Sequence, residues 1–189
     1  MEQVTPSGFR RSKQRAARLL CLAMGIGLGM LCAAGGAEEA SEYQVKAAFL
    51  FNFTKFVEWQ AAAFAAPDSP IVICILGDDP FGTVLEQTVA GEVVNGRKVA
   101  VRRMKQAPPP KSCQVVFAGR PGKEVLKLLP GLGPGVLTVG EGENFVRGGG
   151  MIAFVLENRR VRFDINQAAA ENAGIKLSSR LLSVAKSVE

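Results

Sequence analysis

The chain has 189 residues, 23 Lys and Arg against 17 Asp and Glu, a formal charge of +6 and no histidine. Without an imidazole there is no Ser-His-Asp triad, no Cys-His pair and no histidine metal site. The basic excess sits at the N-terminus: residues 38–189 carry 18 basic and 16 acidic residues, a net of +2. That balance argues against nucleic acid or an anionic membrane as the partner. Those 152 residues suit one domain with a sizeable core.

Arg10, Arg11, Lys13, Arg15 and Arg18 precede a nearly uncharged apolar run from Leu19 to Ala34, and a small-residue stretch ends at Ala37. This order of regions predicts a cleaved secretory signal peptide over residues 1–37, cut after Ala37. The apolar run of 16 residues is short for a membrane anchor, which needs about 20. Leu31 before Cys32 does not fit a lipoprotein site, and Ser12-Lys13-Gln14 after the arginine pair does not fit twin-arginine export. Cleavage removes Cys21 and Cys32, leaving Cys74 and Cys113 in an oxidising, periplasmic compartment.

Ser41–Trp59 has helical periodicity, with Val45, Phe49, Leu50, Phe53, Phe56, Val57 and Trp59 on one wide face and Phe51 opposite, among Lys55 and Glu58. Ile71–Leu76 reads as a buried strand. Asp79 and Pro80 predict an N-cap and first position for a helix to about Val89. A loop over Gly91–Arg97 then leads to an alternating strand, Lys98–Arg103. Cys113–Ala118 and Val136–Val139 read as further strands, with a short helix over Pro121–Leu129 between them. Met151–Leu156 and Arg160–Ile165 form an antiparallel hairpin turned at Glu157–Arg159, with Val161, Phe163 and Ile165 alternating against charged residues. A helix over Gln167–Ala173 closes on Gly174. Ile175–Leu177 is extended, and Ser178 or Ser179 caps a last helix to about Ser187. The order predicts an α/β three-layer sandwich with a mixed, mainly parallel sheet and a C-terminal antiparallel hairpin.

Few residues suggest chemistry. Cys74 and Cys113 lie in or at the edge of strands. In an oxidising compartment they are either a disulfide, the default, or two buried thiols. Gly77-Asp78-Asp79-Pro80-Phe81-Gly82 sits where nucleotide folds bind phosphate, but it lacks the glycine spacing and its aspartates would repel an anion, so capping is the better reading. Glu141, Glu143 and Asn144 do not match a calcium loop, and no catalytic, cofactor or metal residues are assigned. Arg159, Arg160 and Arg162 either bind an acidic partner or protect a solvated hairpin edge. Phe51 is either covered by another part of the fold or is an interface residue.

Several blocks together resemble the YfiR family. They are Glu42-Tyr43-Gln44-Val45-Lys46-Ala47-Ala48-Phe49-Leu50 with Asn52–Trp59, Cys74–Gly82, Gly149-Gly150-Met151-Ile152 leading to Val161–Asn166, and Ala173–Leu182. The resemblance covers residues 42–186. It implies a single regulatory domain over residues 38–189, exported and non-catalytic. Such a domain represses an inner-membrane diguanylate cyclase through the cyclase's periplasmic domain, lowering cyclic di-GMP and biofilm formation. An outer-membrane lipoprotein that sequesters the repressor is a further implied partner, and a homodimer is left open. The family's disulfide maps onto Cys74 and Cys113. Some members have a second cysteine pair around the glycine-rich turn, where this chain has Phe145, Val146, Met151 and Ala153; switching through a second bridge is therefore out of reach. The partner-binding candidates are Phe51, Arg160 and Arg162. The alternative function is an exported small-molecule sensor with a pocket lined by Trp59 and the Arg162 face, and an enzyme fits least well.

The leader expectation is checked by intact mass: protein recovered from the periplasm is expected to begin near Glu38. Retention of residues 1–37, or a lipid on Cys32, contradicts it.

Overall fold

A computed structural model describes the backbone of residues 34–119 and 123–189, with side chains at 41–119 and 126–189. Residues 1–33 of the expected leader, with Cys21 and Cys32, lie outside the described residues, as does Pro121; the leader's last four residues, 34–37, begin the first helix. Residues Ala40–Glu189 form one compact unit.

Helix α1, Ala34–Phe56, is followed by the two-residue strand β1, Val57–Glu58. The helix was expected to reach Trp59. It stops earlier because Val57 and Glu58 pair antiparallel with Leu177 and Lys176 of β9, Lys176–Leu177. Strand β2 is Ile71–Leu76, and every residue in it is buried. Helix α2, Val84–Val89, begins later than the Asp79–Pro80 signal implied. The Asp79 carboxylate instead accepts from the Phe81 N–H at 2.8 Å, a local turn, and Gly82 at φ +54° cannot continue a right-handed helix.

The expected loop over Gly91–Arg97 contains a hairpin. Strand β3, Val93–Val94, returns through Asn95 and Gly96, at φ 52° and 79°, into β4, Arg97–Met104. Asn-Gly is the preferred pair for that turn. Strand β5 is Val115–Ala118, α3 is Lys123–Leu128, and a 3-10 turn follows at Leu129–Leu132. Strand β6 is Leu137–Glu141, and α4, Glu143–Arg147, occupies a stretch that carried no expected element. The hairpin is β7, Ile152–Glu157, and β8, Arg160–Ile165. Helix α5, Gln167–Asn172, is capped by the Asn166 side chain and ends before Gly174 at φ 71°. The Ser178 hydroxyl caps α6, Ser179–Val184, by accepting from the Leu181 N–H. That helix is shorter than expected, because Ala185 turns extended and Ser187–Val188 forms β10 against β8.

The main sheet has the order β10-β8-β7-β6-β5-β2-β4-β3. Strands β4, β2, β5, β6 and β7 are parallel to one another, while β8 runs antiparallel to β7 and β3 antiparallel to β4. The mixed, mainly parallel α/β sheet with its antiparallel hairpin is the expected fold class. Alternate residues of β2 enter different cores: Ile71, Ile73 and Ile75 pack with Leu50, Phe53 and Leu85, whereas Val72, Cys74 and Leu76 pack with Leu132 and Val136. The larger core holds an aromatic cluster in which Phe53 lies 5.8 Å from Phe154 and 5.2 Å from Phe163. Burial of each such ring stabilises the fold by roughly 2–3 kcal/mol, so α1 is held by its phenylalanines rather than by its propensity.

Two helix-wheel assignments differ from the structure. Val45 is 43% exposed, and Phe51 is only 7% exposed, within the larger core. The buried arc extends round to Phe51, which is covered by the fold, the first of its two readings, and it leaves Val45 outside. Phe51→Ala is accordingly expected to cost about 3 kcal/mol and to lower the melting temperature by roughly 10 °C, read by calorimetry.

Candidate partner-binding surface

Cys74 and Cys113 are joined by a disulfide with Cα atoms 5.9 Å apart. Cys74 is central in β2 and Cys113 lies just before β5, so the bridge links two adjacent strands across the smaller core. Next to it the Gln114 side chain accepts from the Val72 N–H at 2.9 Å and donates to the Ala63 carbonyl at 2.9 Å. A buried amide with both ends satisfied costs little and fixes the strand register.

The acidic candidates are engaged elsewhere. Lys46, 4% exposed, forms ion pairs with Glu42 and, at 2.7 Å, with Glu141. The Tyr43 hydroxyl also donates to Glu141. Glu143 meets Arg147 at 3.1 Å. Among the described residues no group of three or more His, Cys, Asp or Glu could hold a metal ion. Arg103 binds Asp79, Glu86 and the Gly82 carbonyl, tying the 77–83 loop to β4. Its hydrogen bond holds the Glu86 carboxyl below its ordinary value of 4.5. A depressed carboxyl stabilises the fold above the ordinary value and loses that contribution as pH falls through the folded one. Glu86 is 41% exposed, so solvent screening keeps the effect small.

The hairpin is different. Its turn residues Asn158 and Arg159 adopt φ 50° and 60°, which closes a two-residue loop. Arg160 is exposed, and Arg162, 43% exposed, reaches Glu157 only at 3.9 Å. A shallow cavity of about 330 Å³ is lined by Glu157, Asn158, Arg160 and Arg162. Trp59 does not line it, packing instead against the larger core with its Nε1 buried and without a hydrogen-bond partner. The pocket expected between Trp59 and Arg162 is therefore not formed. A larger cleft of about 430 Å³ lies between the 3-10 turn, Gly148–Gly149 and α5; it was not legible as a site from the sequence, although Gly149, Met151 and Ala173 of the resemblance blocks line it. Of the three partner candidates, Arg160 and Arg162 share one exposed edge, and Phe51 is buried away from solvent.

These features define a disulfide-linked mixed α/β domain with an arginine-bearing sheet edge. Residues 43–186 match the YfiR/HmsC-like family, and the chain belongs to that family. Its members are generally non-catalytic regulators, and membership implies a periplasmic regulatory role in cyclic di-GMP signalling. A crystal structure of a conserved domain protein from Vibrio cholerae superposes with a TM-score of 0.46 at 13% identity, over 62% of this chain and 54% of that one. No curated protein matches. Among the described residues no helix is long and apolar enough to cross a membrane.

Closing a loop of this length by a disulfide stabilises by about 4 kcal/mol in the chain-entropy model. Cys113→Ser is expected to lower the melting temperature by roughly 10 °C. Non-reducing peptide mapping should recover Cys74 linked to Cys113, and two freely alkylated thiols in the native protein would contradict the pairing.

Proposed function

We propose that this protein is a non-catalytic periplasmic regulator that binds the periplasmic domain of an inner-membrane diguanylate cyclase and represses it. Release of the cyclase raises cyclic di-GMP and promotes biofilm. Membership of the YfiR/HmsC-like family over residues 43–186 carries the reading. A protein of this kind acts by occupancy rather than by chemistry, so its function depends on a surface that the partner recognises. Arg160 and Arg162 supply charge on such a surface, since arginines are frequent anchors in interfaces. Export by the N-terminal leader puts the domain beside the cyclase, and an outer-membrane lipoprotein that captures it would relieve repression.

The cleft beside Gly148–Gly149 is the one feature that favours a second reading, a small-molecule sensor. Its lining is largely apolar, with Thr138 and Asn172 as polar side chains, and the Thr138 hydroxyl already accepts from the Met151 N–H at 3.0 Å.

Deletion of the gene is expected to raise cellular cyclic di-GMP and surface attachment. Complementation with Arg162→Glu should restore neither fully, while the purified variant keeps a melting temperature within a few degrees of the parent. Unchanged cyclic di-GMP after deletion, together with a small molecule that raises the melting temperature, replaces this reading with the sensor.

A further inference from the structure

The outer edge of β8 is open where its arginines lie. On its inner side β8 pairs with β7 from Ile165 to Arg160, but on its outer side β10 covers only Asp164 and Ile165. The Lys186 N–H adds one bond to the Phe163 carbonyl. In a two-residue hairpin the closing pair, Glu157 and Arg160, exchanges hydrogen bonds, and the next pair, Leu156 and Val161, does not. The Val161 N–H and carbonyl therefore point away from β7, and no strand among the described residues receives them. These two groups, on the stretch of β8 that Lys186–Val188 leaves uncovered, are a point of attachment for another strand.

The two faces of this edge differ. Leu156 and Val161 share one face; Leu156 is 58% exposed and continues the apolar stripe of Phe154 and Phe163. Arg160 and Arg162 project from the other face, and Arg162 has only the long contact to Glu157. Across this edge, antiparallel pairing of a second copy would set arginine against arginine, which is destabilising. A strand with acidic residues at alternate positions meets no such penalty.

The geometry points to β8 as a docking edge for an extended acidic segment of a partner protein, added as a ninth strand beside Arg160–Arg162. The alternation of a strand dictates the sequence it accepts: carboxylates facing Arg160 and Arg162, and an apolar side chain beside Val161. Backbone bonds supply affinity and the arginine pair supplies selection by charge. The inference rests on the proposed regulator reading only for the partner's identity.

The test titrates the purified, isotope-labelled protein with a terminally blocked hexapeptide of alternating valine and glutamate. Amide signals of residues 160–162 should shift, and a peptide with lysine in place of glutamate should bind at least tenfold more weakly. N-methylation of the peptide backbone on its pairing edge should abolish binding, which tests strand pairing without altering the protein. Val161→Pro removes the outward N–H but no bond to β7, and an edge strand tolerates it; it should abolish binding while the folded spectrum persists. Equal binding of the lysine peptide, or unmoved signals at 160–162, overturns the inference. If a cyclase periplasmic domain binds parent and Val161→Pro alike, strand addition is wrong and the regulator reading stands. If the peptide binds as expected and no cyclase domain does, the edge is an acidic-strand site and the cyclase reading falls.

Discussion

Strand β2 is enclosed on all four sides. Strand β4 pairs along its whole length on one edge and β5 along most of the other, while its two faces feed separate cores. A parallel strand in that position can have no solvated face, which is why Ile71-Val72-Ile73-Cys74-Ile75-Leu76 contains no polar residue. It also sets where the rest of the sheet lies. Strands β5, β6 and β7 follow outward from it in parallel order, and the hairpin continues that side to β8. The disulfide and the Gln114 side chain both act at this centre, holding the start of β5 in register with β2.

The layers on the two faces are unequal. One face carries α1 with its phenylalanine cluster, and the other is covered by short helices and a 3-10 turn. There Phe145 is gripped between two glycines: a Cβ on Gly140 would come within 2.4 Å of its ring, and one on Gly150 within 2.2 Å. Phe145, Val146 and Ala153 form a buried apolar cluster with Ala118. Packing of these side chains thus occupies the region where some relatives place a second cysteine pair. The glycine-rich turn is shaped by that ring as much as by chain reversal.

Charge is distributed with the same asymmetry. Lys46 is buried and satisfied by two carboxylates, and Arg103 gathers two carboxylates and a carbonyl. Removing both carboxylates would leave the buried Lys46 ammonium uncompensated, and removing one would leave it half-served. The arginines at the hairpin have no comparable partners. A cation that the fold does not use for itself is available to another molecule, and its exposure makes its contribution sensitive to salt.

The pattern of apolar residues was enough to place β2, β8 and the hairpin, because each depends on contacts within a few residues or on complete burial; it left the last cap between Ser178 and Ser179, and the structure assigns it to Ser178. The Gly91–Arg97 stretch reads as a loop, and the hairpin at Asn95-Gly96 emerged only in the structure, because its strand β3 is two residues long. The family resemblance likewise stands in the linear order of residues. Tertiary structure alone decided where α1 ends, since Val57–Glu58 becomes a strand only by meeting Lys176–Leu177. It also decided that Phe51 is covered, that Lys46 pairs with Glu141, and that Arg160 and Arg162 sit on a partly uncovered edge. Each of these depends on segments distant in sequence, and periodicity along one segment has no information about what packs against it.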